Sequence, residues 1–321
     1  MKKIVGIFLV LALLVGSFAG CKGNSGDKLS IVTTIFPEYD WVNQILGEQA
    51  QNAEVTLLLD SGVDLHSYQP TADDIVTIST CDMFIYVGGH SDDWVAEVLA
   101  QAKNEDMIVI NLFDVLADAV KEEELVDGME HEAHTGHEEE HDEEQDEHVW
   151  LSLKNAESAC RAISEKLCVL DPENAQRYTA NTESYCQKLK ALDEEYKAVV
   201  DAANIKTLLF ADRFPFRYLV DDYGLEYYAA FSGCSAESEA SFETVIFLAG
   251  KVDELGLHAV ITLKGSDGEI AKTVVGTSSA KNADILTLDS MQTTTAKDTD
   301  SGTTYLAIME SNLEVLKLAL K

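Results

Sequence analysis

The sequence predicts an α/β protein of two lobes, each on a parallel-type sheet, joined by a long rigid connecting helix. Three observations predict it. Short apolar runs alternate with amphipathic segments over residues 29–121 and again over 204–321. Several runs, "MFIYVGG" and "MIVINL" among them, are apolar without a break, as strands covered on both faces of a parallel sheet are. Between the two sets lie roughly thirty residues of helical character without glycine or internal proline.

The elements follow in order. "KLSIVTTIFPEYDWVNQIL" reads as a strand from Leu29 to Thr34, a turn at Pro37 and a helix, and "AEVTLLLD" as a second strand opening into the loop "SGVDLHSYQPTADD". "DDIVTISTC" reads as a helix, "MFIYVGG" as a strand, "DDWVAEVLAQA" as an amphipathic helix and "MIVINL" as a strand. Alternation of this kind argues for α/β layers. Residues 122–147 then carry almost no apolar side chains, so burial cannot offset the entropy of ordering them, and a mobile loop is expected. Order returns at "HVWLSLKNAESACRAISEKLCVL", with Asn155 as a candidate cap for a helix running to Leu170.

Asp171 as N-cap and Pro172 at the first helical position would start the connector over 171–203, about 45 Å long at 1.5 Å per residue. Four more strands are expected at "KTLLFA", "LEYYAAF", "HAVITL" and "ADILTLDSM". Helices are expected at "FRYLVDDYG", at "SFETVIFLAGKVDELG" with Gly256 as its stop, at "GEIAKTVVGTS" and at the closing "GTTYLAIMESNLEVLKLALK". The lobes are thus 29–170 and 204–321, with strand ends facing a shared cleft, where ligands of such folds bind.

The first twenty residues bear on compartment. Lys2 and Lys3 precede an apolar run from Ile4 to Val15, too short for a stable spanning helix, so residues 1–20 read as a secretory signal. "SFAGC" places small residues directly before Cys21, which resembles the lipobox of bacterial lipoproteins, and "KGNSGDK" reads as a flexible tether over 21–28. An ordinary cleavable signal with an incidental cysteine is the alternative. Five further cysteines show no C-x-x-C spacing, so a structural zinc knot is not indicated. Cys160 and Cys186 could meet across a helical hairpin, and buried free thiols are the favoured reading over that disulfide.

Charge narrows the partners. The net charge of −34 excludes a phosphate-binding nucleic-acid surface and suits attraction of cations. Fourteen of the 57 acids fall in residues 122–148, leaving 43 acids against 23 basic residues elsewhere, about −20.

Histidines supply the candidate chemistry. His66 lies in a loop between a strand and a helix, where a neutral imidazole is a good metal ligand; a loop histidine with no role is the plain alternative. His148 directly precedes the apolar Val149-Trp150-Leu151, so it belongs to ordered structure. His131, His134, His137 and His141 do not: Gly136 and the density of acids oppose a helix, and they read as a collecting arm of weak, exchange-ready sites. A solubilising acidic loop is the competing reading. Asp212 and Asp289 each end an expected strand of the second lobe, where a carboxylate could complete a site with His66 and His148, or merely cap a helix.

Taken together, these segments resemble the metal-binding lipoproteins of zinc and manganese ABC importers, across essentially the whole chain after the signal. "GVDLHSYQPTADD" looks like that family's first-histidine loop and "DEHVWLSLKNA" like its second, with Ser152 and Leu153 where an aspartate and proline are usual. The acidic, histidine-rich insertion looks like the zinc-type members. "GCSAESEAS" resembles a glutamate-containing turn, and "TLDSM" the strand end whose aspartate, here Asp289, is a ligand. The third-ligand position falls on Arg213, counted back from Tyr223-Gly224-Leu225, and a guanidinium cannot ligate a cation. Arg213 is expected to point away and pair with Glu239, leaving Asp212 or water in its place. Otherwise the site keeps His66, His148 and Asp289 with a solvent ligand, or takes an anion.

The resemblance implies an exported, lipid-anchored solute-binding protein that captures Zn2+, with Mn2+ the second choice, for an ABC permease. Two imidazoles favour zinc over manganese. A surface adhesin or metal buffer is the nearest alternative. A metal-dependent hydrolase is disfavoured, since neither H-E-x-x-H nor G-x-S-x-G occurs.

Overall fold

The computed structural model describes residues 28–130, 145–235 and 239–321. The expected signal, the lipidation at Cys21 and the four collecting histidines, His131, His134, His137 and His141, lie outside the described residues. Two four-stranded parallel sheets carry the fold. The first lobe runs β1 (Leu29–Thr33), α1 (Phe36–Leu46), β2 (Ala53–Leu57), α2 (Ala72–Thr80), β3 (Met83–Tyr86), α3 (Val95–Leu99), β4 (Ile108–Asn111) and α4 (Leu112–Leu116). Helices α5 (Leu153–Leu170) and α6 (Ala175–Ala202) form a hairpin between the sheets. The second lobe runs β5 (Thr207–Phe214), α7 (Arg217–Tyr223), β6 (Glu226–Ser232), α8 (Phe242–Leu255), β7 (Ala259–Leu263), α9 (Glu269–Thr277), β8 (Asp284–Leu288), α10 (Ala296–Asp300) and α11 (Tyr305–Ala319).

The strand orders are β2-β1-β3-β4 and β6-β5-β7-β8, the same topology twice. In each sheet the order reverses beside the first strand, which opens a crevice at the carboxyl ends of the strands. All eight strands expected from the sequence are present. The helix caps differ. α5 begins two residues before Asn155, because Ser152 is the N-cap and accepts from the Asn155 N–H. Asp171 is the C-cap of α5 rather than the N-cap of α6; its Oδ2 accepts from Asn174 Nδ2 and Tyr178 Oη, and α6 starts after Asn174. Cys160 and Cys186 are free thiols. Among the described residues no helix is long and apolar enough to cross a membrane.

The lobes do not have separate interiors. A continuous apolar core includes Trp41 and Val42 of α1, Trp150, Tyr196 of α6, Phe210 of β5, and Tyr305 and Leu313 of α11. Buried hydrogen bonds stitch it across the sheets: Trp150 Nε1 donates to the Ser290 carbonyl at 2.9 Å and Tyr305 Oη to the Trp150 carbonyl at 2.7 Å. Tyr196 Oη donates to the Met309 carbonyl at 2.6 Å. Each tie satisfies a polar group that water cannot reach. A second cluster, including Val245, Leu248, Val260 and Val274, covers the outer face of the second sheet.

One buried acid sits in this frame without a charge partner. Glu38 is fully buried in the first turn of α1, and its Oε2 accepts from the Thr34 and Ile35 N–H groups and the Thr34 hydroxyl. Its Oε1 has no partner. Burial, reinforced by the charge of Asp92, raises its pKa to about 8. The folded pKa exceeds the unfolded one of 4.5, so Glu38 adds stability at low pH that is lost as pH rises toward 8. Glu38→Gln should therefore match wild type in urea unfolding near pH 5 and exceed it by about 1–3 kcal/mol at pH 8. A stability difference that stays flat between those pH values would show that Glu38 is not the group responsible.

Candidate metal centre

His66 and His148 are eighty-two residues apart, and the fold brings their Nε2 atoms to 3.3 Å. His66 sits on the 3-10 turn Leu65–Ser67 after β2. Asp64 caps that turn by accepting from the His66 N–H at 3.1 Å. His148 immediately precedes the 3-10 turn Val149–Leu151, and its side chain is fully buried.

The other ring nitrogen of each histidine faces oxygen. His148 Nδ1 lies 3.0 Å from Asp146 Oδ1, which also accepts the His148 backbone N–H. Asp146 is itself pinned, since its carbonyl accepts from Tyr218 Oη at 2.7 Å and its N–H donates to the Lys121 carbonyl at 2.8 Å. His66 Nδ1 lies 2.8 Å from Ser91 Oγ and 3.2 Å from Glu147 Oε2. The first is a hydrogen bond and the second an ion-pair contact, and Glu147 Oε1 in turn accepts the Ser91 N–H at 2.8 Å. A carboxylate behind each Nδ1 fixes the tautomer that leaves Nε2 a lone pair.

In that neutral tautomer the two lone pairs cannot hydrogen-bond to each other, whereas a protonated His66 can donate to His148. The two lone pairs suit a cation: with Zn–N near 2.05 Å and tetrahedral angles, two nitrogen ligands stand about 3.3 Å apart. Burial opposes charging of His66, but Glu147 and Asp64 outweigh it and raise its pKa. Burial likewise opposes ionisation of Glu147 and Asp64. The His66 and Ser91 contacts, and for Asp64 His66 and Arg213, overcome it and lower both.

The second-lobe residues stand differently. Arg213 pairs with Asp64, Nη2 to Oδ2 at 3.0 Å, and not with Glu239 as expected. Its Nη1 reaches the Ser235 carbonyl at 3.5 Å. The β5–β6 register slips by one residue between Phe210 and Arg213, a bulge beside the site that re-aims these side chains. Asp212 is committed elsewhere: Oδ2 accepts from Thr262 Oγ1 at 2.9 Å and the Leu263 N–H at 3.0 Å. Asp289 accepts from Lys264 Nζ at 2.8 Å and from the Met291 N–H at 2.8 Å.

Among the described residues, the group of three potential ligands that converges is His66, His148 and Cys234, whose ligand atoms all lie within 4.8 Å of one another. Sequence reasoning passed over Cys234, treating it among five unassigned thiols. The signal was its place in the turn directly after β6, two residues beyond the strand's last residue Ser232. Burial, with the carboxylates of Glu123, Asp146 and Glu147 nearby, pushes its thiol pKa up.

Two glycines set the close approaches. A Cβ at Gly233 would stand 2.8 Å from the Phe214 carbonyl and 3.0 Å from His148 Cε1, so the end of β6 lies directly against the imidazole. A Cβ at Gly89 would meet Glu147 Oε1 at 2.5 Å, and its φ of +86° suits glycine.

Comparison with known proteins followed the same lines. The family model ZnuA, "Zinc-uptake complex component A periplasmic", matches residues 31–319. The high-affinity zinc uptake system protein ZnuA of Bacillus subtilis is 30% identical over 325 residues, covering 98% of this chain and 97% of that protein. The zinc-binding lipoprotein AdcA of Streptococcus pneumoniae serotype 4 is 31% identical over 323 residues, covering 99% of this chain and 61% of AdcA. The chain spans only 56% of the length of the Streptococcus pyogenes zinc-binding protein AdcA, at 27% identity. In structure, the Zn(II)-bound ZnuA-like domain of Streptococcus pneumoniae AdcA superposes with a TM-score of 0.70 at 27% identity, covering 91% of this chain and 99% of that domain.

The Gly89–Glu147 contact makes a test of how the imidazoles are held. Gly89→Ala should weaken Zn2+ binding about tenfold in calorimetry, in the range seen when groups behind a ligand are disturbed. In a Glu147→Gln background the same change should cost much less, because both act on one contact. Additive losses would mean that Gly89 serves the site in some other way.

Proposed function

Since the chain belongs to the ZnuA family of zinc-uptake components, we propose that it is an extracytoplasmic solute-binding protein that captures Zn2+ and hands it to an ABC permease. The observation that carries this reading is the pair of Nε2 atoms at 3.3 Å, each ring backed by oxygen on its far side. The family it belongs to consists of zinc-uptake components, and the chain is read with them as a binding protein, not an enzyme.

His66 and His148 are the ligands from the first lobe. Asp289 is the second-lobe ligand that the family resemblance implies, and to reach a metal it must release Lys264. Nitrogen donors favour zinc over manganese. The segment ending at Cys21 supports export and lipid anchoring at the outer face of the cell membrane. The histidines at 131, 134, 137 and 141 support a collecting role ahead of the buried pair. Helix α6 acts as a rigid connector, packed along its length on α5 and α1.

Calorimetric titration of the chain with Zn2+ and Mn2+ tests the reading. Wild type should show one tight zinc event that His66→Ala abolishes and that deletion of residues 131–144 leaves in place. Tight binding that survives His66→Ala, or that disappears with the loop, would overturn the assignment. Asp289→Asn should weaken the tight event at least tenfold, whereas Lys264→Met, by freeing the carboxylate, should strengthen it. An Asp289→Asn variant with unchanged affinity removes Asp289 from the ligand set.

A further inference from the structure

Arg213 leaves the site a ligand short, and the structure places a sulfur beside the two imidazoles. We propose that Cys234 ligates the captured metal as a thiolate, making a two-imidazole, one-thiolate centre for thiophilic divalent ions. The proposal rests on the metal-binding reading above and goes beyond it in naming both the donor and the class of ion.

Geometry carries it. Cys234 Sγ and one ring nitrogen from each of His66 and His148 lie within 4.8 Å of one another. A tetrahedral zinc with Zn–S near 2.3 Å and Zn–N near 2.05 Å sets N···S at about 3.6 Å, so from separations within 4.8 Å closing the site takes a shift of about 1.2 Å at most. The backbone is already built for that approach. Gly233 lies against His148 with no room for a Cβ, which brings the next residue to the imidazole edge. The Cys234 N–H is held by Glu123 Oε1 at 3.2 Å, and Arg213 Nη1 reaches the carbonyl of Ser235. Arg213 thus does not occupy the metal position. It joins Asp64, which caps the His66 turn, to the turn that carries Cys234.

The chemistry balances without an oxidant. The Sγ–H bond breaks, a sulfur–metal bond forms, and the proton leaves to solvent. A dication supplies the charge that makes a buried thiolate favourable, and the carboxylates of Glu123, Asp146 and Glu147 add to its attraction. A thiolate favours zinc and other thiophilic ions and discriminates against manganese, which prefers oxygen.

Cobalt reports the bond directly. The reduced chain, titrated with one equivalent of Co2+, should develop a near-ultraviolet thiolate-to-cobalt charge-transfer band together with the visible bands of a tetrahedral ion. The charge-transfer band should vanish in Cys234→Ser and persist in Cys168→Ser and Cys21→Ser. The ratio of zinc to manganese affinity should fall at least tenfold in Cys234→Ser.

A wild-type cobalt complex without the charge-transfer band overturns the proposal, and that measurement does not depend on any variant folding. A band that survives Cys234→Ser, or that follows Cys168 or Cys21, overturns it as well. If wild type binds zinc tightly through His66 and shows no such band, the thiolate falls and the zinc-binding reading stands. If zinc does not bind, or binds independently of His66, both fall.

Discussion

The structure depends on the complete burial of one short segment, Asp146 to Leu151. Every residue in it is at most 3% exposed. It follows the most acidic stretch of the chain and yet lies in the middle of the molecule, between the two sheets. Burying two carboxylates and an imidazole is costly unless each finds a partner. Here each has one: Asp146 holds His148, Glu147 holds the Ser91 N–H and faces His66, and Trp150 donates to the second lobe. The same six residues therefore supply the buried imidazole of His148, the carboxylates that orient both imidazoles, and the seam between lobes. Any change that loosens the seam also loosens the site.

The charge around the imidazoles suits a cation. Asp64, Asp92, Asp146 and Glu147 surround two histidines, with Arg213 the cation that faces Asp64. Burial pushes Asp92 up to about 7, and the charge of Glu147 adds to it. A divalent ion relieves that field. The guanidinium of Arg213 relieves a little of it near Asp64 and does so without entering the space between the rings.

Much of this was legible in the sequence, for physical reasons. Strands buried on both faces, such as β3 and β7, leave continuous apolar runs, and the more exposed edge strands β2, β4 and β8 could be read from their alternation with helical segments. His148 could be separated from the four loop histidines because the apolar Val149-Trp150-Leu151 had to pack. What escaped was set by tertiary contact. Asn155 and Asp171 are good capping residues, but Ser152 and the chain geometry after Leu170 decided where the helices begin. Arg213 was expected to pair with Glu239, the nearer acid in sequence; Asp64, 149 residues away, lies within reach only once the lobes meet. Cys234 could not be chosen from five thiols by spacing, since what distinguishes it is a glycine lying on an imidazole from the other lobe.

These contacts also say which part of the site can move. His148 is clamped from both sides, by Asp146 and by the Trp150 seam, and shifting it would break buried hydrogen bonds in the core. A wide hinge is opposed by the same core, which runs unbroken from α1 through α6 to α11. His66 is different. It sits on a single 3-10 turn in a loop, is partly exposed, and is held through Asp64 by two second-lobe side chains, Arg213 and Gln292. Both contacts on Asp64 cross the cleft, and both are side-chain bonds at a partly exposed edge, where water can replace them. Loss of those bonds would leave the His66 ring held by Ser91 and Glu147 alone, with His148 in place. The asymmetry between a fixed imidazole and a tethered one makes the loop that follows β2 the more weakly held side of the site, and Asp64 is the point at which the second lobe contacts it.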